Sequence, residues 1–313
     1  LPELILAMSQ KKQTHLKRCA QQRMARPTRI KGATLIELMV GIAIGLLTVA
    51  VGLGALLVSR GISGTVSEAS SLQQQAAYAF RVMGQQIRQA GGLELNLNPN
   101  FAAIATAGTS AALTPVAFDA PDPAGVRPSF DRAKSTVQGK DNPSSTEYAL
   151  TVGYQNYQET IHPIPPATTA SAQYQLRDCL GENPVATAAA VVQSSFKLAA
   201  GELVCAGIGG KAQAVIQNVT NMSVRYLLQD PAAALTGLPT IKYTDAAGVA
   251  ASARGWADVY AVEVCLELAG TEVIDTVKTK YTQCDGNPAD RGNRLRMVFK
   301  NTFQIRSQGQ PSV

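Results

Sequence analysis

The sequence predicts an α+β fold, with one long N-terminal helix packed on an antiparallel β-sheet head. Three observations carry this. Residues 38–59 form an apolar run without a charged side chain, and no proline interrupts the chain between Pro27 and Pro99. From residue 147 onward, several segments alternate apolar and polar residues with a period of two. The first two features demand a helix, and the third demands strands with one face on a core.

The charge is unevenly placed. The formal charge is +6, but Lys11, Lys12, Lys17, Arg18, Arg23, Arg26, Arg29 and Lys31 all precede the apolar run, against only Glu3. The segment before residue 33 therefore carries +7 and the remainder −1. A basic, nucleic-acid-binding domain is excluded by that split, because the pI of 9.1 describes the first residues and not a folded surface. A hydrophobic fraction of 46% in 313 residues is ordinary for a folded chain, with room for one large domain or two small ones.

At about 1.5 Å per residue, residues 38–59 make a helix of roughly 33 Å, enough to cross a hydrocarbon core of about 30 Å. A cleavable secretory signal has an apolar stretch of only about 7–15 residues, followed by a small-residue cleavage site. This run is longer, and its end, LLVSRGISGTV, lacks such a site. The expected organisation is a cytoplasmic leader over 1–32, a transmembrane part over 33–60, a periplasmic amphipathic half-helix over 61–92 and a head over 93–313. Basic residues before the run keep the leader inside and place the head outside. Glu37 stands at the threshold of the apolar run, where a carboxylate is costly without a partner. Two readings are open: headgroup-level pairing with Lys31 or Arg29, or pairing with a new α-amino cation made by removal of the basic piece.

Beyond the bilayer, Ile62, Val66, Ala69, Leu72, Ala76, Phe80, Met83, Ile87 and Ala90 recur at helical spacing, with Glu68, Gln73, Gln74, Gln85, Arg88 and Gln89 on the other side. One helix from about Thr34 to about Gln89 is expected, stopped by Gly91-Gly92. Residues 93–144 are rich in Ala, Asn, Pro, Thr and Gly, with DAPDPAGVRPSF an irregular loop. Strand patterns follow at 147–155, 215–228, 258–270 and 294–307. Tyr260, Val262, Val264, Leu266 and Leu268 share one face of the third, and Leu295, Met297, Phe299, Phe303 and Ile305 one face of the fourth.

Of five cysteines, Cys19 lies in the leader and Cys179, Cys205, Cys265 and Cys284 lie in the head. An even set beyond a membrane segment points to disulfides in an oxidising compartment. Four cysteines permit three pairings; the favoured one, Cys179 with Cys205 and Cys265 with Cys284, closes the shortest loops, and sequence alone leaves the choice open. Zinc is disfavoured, since no C-x-x-C occurs and His15 and His162 are the only histidines.

KGATLIELMVGIAIG resembles the processing site of type IV prepilins (the class III signal), where a dedicated prepilin peptidase cuts after a glycine and glutamate is the fifth residue of the new chain. The resemblance implies cleavage between Gly32 and Ala33, N-methylation of Ala33, and a charge pair between Glu37 and the N-terminal amine of an adjacent subunit. Ala33 departs from the Phe or Met usual in that family, and Met24 offers an alternative start giving the short leader MARPTRIKG. Gly52 and Gly54 lie where many pilins carry a proline.

The head resembles the PilW family of minor pilins. The residues that carry this are Asp178-Cys179-Leu180-Gly181 before Cys205, Asn218-Val219 with Val224-Arg225-Tyr226, Trp256 before Val259 to Leu268, and Arg294 to Phe303. The resemblance implies a type IV pilin-like fold and a part in initiating pilus assembly within a priming or tip complex, in support of adhesion, twitching motility or DNA uptake. It implies as partners the prepilin peptidase, other minor pilins and the major pilin, a tip adhesin and the inner-membrane assembly platform. Its implied location is the inner membrane and then the pilus at the cell surface. A type II secretion pseudopilin of the J type shares helix and sheet. A membrane-anchored periplasmic enzyme or binding protein is the third reading.

No catalytic or cofactor motif supports an enzyme: G-x-S-x-G, H-E-x-x-H, P-loop and dinucleotide fingerprints are all missing. GIGGKAQA at 207–214 reads as a turn. CDGNPADRGN at 284–293 offers oxygen donors for calcium, with a loop of turn-forming residues the default. His162 reads as a loop residue without a catalytic partner.

Overall fold

The computed structural model describes residue 32 and residues 34–95, 117–118, 130–161, 171–182, 191–229, 241–274 and 279–305. The leader with Cys19 and Met24, Ala33, most of the loop around 119–130, and His162 lie outside the described residues. The chain divides into two compact units, Leu1–Gly61 and Ile62–Val313.

Helix α1 (Leu35–Gln89) is followed by β1 (Glu94–Leu95), β2 (Ala117–Phe118), the short helix α2 (Arg132–Ser135), β3 (Val137–Gly139), β4 (Leu150–Gln155), β5 (Gln158–Ile161) and β6 (Ser171–Tyr174). Then come β7 (Val191–Ala199), β8 (Glu202–Ala206), β9 (Ala212–Ile216), β10 (Val219–Gln229), β11 (Ile241–Thr244) and helix α3 (Ala246–Ala250). A 3-10 turn (Gly255–Asp258) precedes β12 (Val259–Val273), β13 (Lys280–Thr282), β14 (Pro288–Asp290) and β15 (Arg294–Gln304). The fold is α+β, and every strand pair described is antiparallel.

In the first unit, the α1 residues whose side chains are described are exposed all round. In the second, α1 buries one stripe: Leu72, Ala76, Ala79, Met83, Ile87 and Ala90, each at most 2% exposed. Phe80, expected on this stripe, is half-buried beside it, and Val66 is 64% exposed. Glu68, expected on the free side, instead accepts hydrogen bonds from Glu272 N (2.7 Å) and Thr271 Oγ1 (3.4 Å), which ties the helix to the end of β12. Gly91 takes a left-handed φ of 74° and ends the helix. The chain is then stitched to β4 by Gly91 N–H to Gly153 O and Gln155 N–H to Gly92 O, both 2.9 Å.

The stripe meets two principal sheets, where the sequence pattern had suggested one. A four-stranded sheet runs β11-β10-β12-β15 and a five-stranded sheet runs β3-β4-β7-β8-β9. Strands β7 and β8 do not show in the hydropathy pattern because Gln193, Ser194 and Ser195 blur the alternation, although Ala200-Gly201, both at positive φ, forms a two-residue hairpin turn. The pattern at 215–228 is not one strand: Asn218 at φ 62° breaks it into β9 and β10, so one strand serves each sheet. The strand expected from 147 begins at Leu150.

Tyr226 of β10 joins the two sheets. Its ring lies edge-on to Trp256 with centroids 5.0 Å apart, and its hydroxyl donates to Ala149 O at 3.3 Å, just before β4. Strand β12 is buried on both faces. Val262, Val264, Leu266 and Leu268 face the helix side, and Ala261, Cys265, Glu267 and Ala269 are covered on the other.

Gly84 sits in α1 where a Cβ would come within 2.5 Å of the Phe303 ring. Gly84→Ala should therefore destabilise the head by about 1–3 kcal/mol through overpacking, against the roughly 1 kcal/mol that alanine gains in an unpacked helix. Urea unfolding of the detergent-solubilised chain measures it; a raised midpoint would mean that helix propensity outweighs the contact.

Candidate functional site

The residues expected to matter fall into a processing segment and two disulfide-bearing clasps in the head. Gly32 is exposed, and a Cβ placed on it would meet nothing within 4 Å. Its backbone is outside the left-handed region. Nothing in the described structure requires glycine there.

Thr34 caps α1. The Glu37 N–H is shared between Thr34 O (3.0 Å) and Thr34 Oγ1 (3.3 Å), and Leu38 N–H donates to Thr34 O at 3.1 Å. Thr34 and Glu37 thus have the spacing of a capping box, a signal that is present in the sequence but invisible to hydrophobic periodicity. A carboxylate in a first helical turn is favoured by the helix dipole, which gives Glu37 a local role besides any intermolecular one. Glu37 is exposed and has no ion-pair partner among the described residues.

The apolar span Leu35–Leu57 is long enough to cross a membrane, and none of its most apolar stretch is buried in the chain. Leu35, Leu46 and Leu57 are 79%, 66% and 69% exposed. Gly41, Gly45, Gly52 and Gly54 also have open space at Cβ. Each costs about 1 kcal/mol relative to alanine in a helix, and no contact among the described residues offsets this.

In the head the structure pairs Cys179 with Cys205 and Cys265 with Cys284, with Cα separations of 6.5 and 5.8 Å. A buried carboxylate organises each bridge. Asp178 Oδ1 accepts from Leu180 N (2.9 Å) and Glu182 N (3.0 Å), and its Oδ2 accepts from Ile208 N (3.0 Å). That explains the D-C-L-G order physically: Asp178 gathers the turn and Gly181 takes a φ of 77°, while Cys179 bonds across to β8. Gly207 is required for close approach, since a Cβ there would lie 1.9 Å from Asp178 Oδ2.

This turn is fixed to α1 by Gln86, which is 3% exposed. Gln86 Oε1 accepts from Ser194 Oγ (3.0 Å) and Tyr154 OH (3.3 Å), and Ser194 Oγ in turn accepts from Cys179 N (3.0 Å). Tyr154 OH also lies on Arg177 O. Burial, with a smaller contribution from the Asp178 charge, holds the Tyr154 hydroxyl well above the usual tyrosine range. Gln86 continues the series Ala79, Met83, Gln86, Ala90, whose helical spacing was the one available sign that this glutamine is buried.

Glu267, 2% exposed on β12, serves the second bridge. Its Oε1 accepts from Cys284 N (2.8 Å) and Asn221 Nδ2 (2.9 Å), and its Oε2 from Tyr281 OH (3.0 Å). Lys300 Nζ donates to Cys284 O at 3.0 Å. In the loop beyond, the Asp285 carboxylate accepts from Asn287 N (2.8 Å) and Nδ2 (2.9 Å), bonds that lower its pKa. Asp285 thus closes a local turn, and among the described residues no group of three or more His, Cys, Asp or Glu could hold a metal. Residues 207–211 form a turn between β8 and β9.

Residues 186–307 match the model of the family described as Type IV Pilus-assembly protein W, PilW. The head carries a PilW-family region. The matched span runs from just before β7 to the end of β15, and leaves out α1, Gly32, Glu37 and the Asp178 turn. The likeness to that pilus-assembly family thus lies in the head. A solved type IV-like pilin, TTHA1219 from Thermus thermophilus, is similar at 11% identity over 76% of this chain and 98% of that one, and at a TM-score of 0.35 the likeness decides nothing further. No curated protein matches the chain.

Asp178→Ala would orphan three N–H groups of the PilW-like head and should cost about 2–4 kcal/mol, with Asp178→Asn losing less because Oδ1 can still accept. Urea unfolding with disulfides intact measures both; equal losses would refute the acceptor role. Burial also raises the Tyr226 hydroxyl. A raised folded value means that the contribution of Tyr154 and Tyr226 is complete below the unfolded value of 10.0 and fades as pH rises beyond it. The urea midpoint should fall steadily above that pH, and Tyr154→Phe should flatten the fall.

Proposed function

We propose that this chain is a PilW-like minor pilin: an inner-membrane precursor cleaved by prepilin peptidase between Gly32 and Ala33, N-methylated at Ala33, and built with other minor pilins into a complex that primes or caps a type IV pilus. The observation that carries the reading is the PilW-family match over residues 186–307. Support comes from the other end, where an exposed glycine, with nothing among the described residues near its Cβ position, precedes an apolar helix whose most apolar stretch has no buried residue. In water such a helix is untenable, and in lipid or among neighbouring helices it is satisfied.

The mechanism is assembly and not catalysis. The basic leader keeps the N-terminus cytoplasmic until cleavage frees an α-amino group beside the cap at Thr34. That cation then faces the Glu37 carboxylate of a neighbouring subunit at low dielectric, where an unpaired charge is expensive, so the pair selects one stagger between helices. The complex so formed offers a template for the major pilin, contacts the assembly platform and carries a tip adhesin. It thereby supports attachment, twitching motility or DNA uptake.

Gly32→Val should leave only full-length precursor in membranes of a strain with active prepilin peptidase, by immunoblot and N-terminal sequencing. Normal processing would refute the site. Glu37→Val should be cleaved normally yet be recovered at least about tenfold less in sheared pili, the equivalent of one lost charge pair. Unchanged recovery would remove the pairing role and leave Glu37 as part of the helix cap. Loss of surface pili on deletion, with secretion intact, separates this reading from a secretion pseudopilin.

A further inference from the structure

Strand β15 ends the four-stranded sheet, and among the described residues it pairs only with β12. Ile305 N–H donates to Tyr260 O at 2.8 Å, which fixes the phase of the antiparallel ladder. Odd-numbered residues of β15 therefore turn their N–H and C=O groups toward β12. Arg296, Val298, Lys300, Thr302 and Gln304 turn theirs outward. An eleven-residue edge of this kind is a ready template for another strand.

The side chains along it are of one sign. Arg294, Arg296 and Lys300 lie on β15, and the strand has no carboxylate. Beside it, a groove of about 730 Å³ runs between α1 and β15, with Phe80 and Phe303 at its floor and Arg81 and Arg88 on its wall. Arg88 stacks over Phe303 at 5.4 Å, while Arg81 is exposed and has no hydrogen bond or ion pair among the described residues. The opposite edge of the sheet, β11, carries Lys242 and again no acid. A second copy pairing edge to edge, β15 on β15 or β15 on β11, would set cation against cation, which destabilises a cross-strand pair.

We propose that the β15 edge is the docking strand of the head, and that its occupant is an extended, carboxylate-bearing segment of a different subunit. The incoming strand hydrogen-bonds the outward groups of residues 298–302 and sets the acids of its groove-facing side against Arg81 and Arg88. This rests on the assembly reading above for the kind of partner, but the edge, the charge and the groove are properties of the head alone.

The test uses the full chain in detergent micelles and a fluorescent peptide of about ten residues alternating glutamate with valine, matched to the length of the edge. A lysine–valine peptide is the control. The glutamate peptide should bind with a saturable rise in anisotropy, should slow amide exchange at Val298, Lys300 and Thr302, and should weaken with salt. The lysine peptide should bind at least about tenfold more weakly. Thr302→Pro removes an outward N–H that β12 does not use, a change an edge strand tolerates. It should abolish binding while circular dichroism and urea midpoint stay near wild type.

Arg81→Glu leaves the backbone untouched and should weaken the glutamate peptide several-fold, which keeps the proposal testable should the proline variant misfold. Equal binding of both peptides, exchange protection elsewhere, or full binding by Arg81→Glu would overturn it. Protection of β15 by concentration-dependent self-association without peptide would overturn it too, by making a second copy the occupant. The assay contains no peptidase and no pilus, so failure here leaves the processing reading standing, and failure of processing leaves the docking edge standing.

Discussion

The head depends on one buried stripe of α1. Leu72, Ala76, Ala79, Met83, Ile87 and Ala90 belong to the same hydrophobic core as Val137, Leu150 and Phe196 of the five-stranded sheet and Val262, Leu266 and Phe303 of the four-stranded one. Each sheet has an apolar face that must leave water, and the helix serves both. The small residues on the stripe let strands approach, and Gly84 admits the Phe303 ring directly against the helix. The same helix has no such one-sidedness in its apolar first part, where leucines stand exposed around the whole circumference.

Two carboxylates complete the arrangement where apolar packing ends. Asp178 and Glu267 are both nearly fully buried, and each accepts three hydrogen bonds next to a disulfide. Acceptors satisfied by N–H and O–H donors make buried acids tolerable where a lone one would be costly. The disulfides restrict the unfolded chain, and the carboxylates set the turns that the disulfides hold. Gln86 carries the first of these clasps back to α1, so the covalent bridge, the polar network and the core stripe form one connected unit.

Much of this was legible in the sequence because it is periodic. The helix, its glycine stop, the β12 and β15 faces and the cysteine set all follow from spacing, as does the α+β class. The second sheet was not legible: Ser194 and Ser195 stand at buried positions of β7, where a hydroxyl meeting Gln86 or Thr151 replaces the apolar residue that alternation needs. Asn218 hid a break between two sheets inside one apolar run, since a left-handed residue leaves no mark on hydropathy. A charge on a helix usually faces water, which places Glu68 on the solvent side by pattern, whereas here the C-terminal end of β12 supplies donors for it. Thr34 shows the reverse, a capping signal carried by Thr34 and Glu37 at a spacing of three, inside a run whose hydropathy dominates the pattern.

The proposed processing of the chain ahead of Thr34 bears the most weight, since it would convert an anchored precursor into a subunit with a charged end beside Glu37. The most direct test is the N-terminal sequence and intact mass of the wild-type protein recovered from membranes of a strain with an active prepilin peptidase. The account predicts a chain beginning at Ala33 and heavier by one methyl group. A chain still carrying its basic leader would contradict it, and would make the helix a permanent anchor for a PilW-like head.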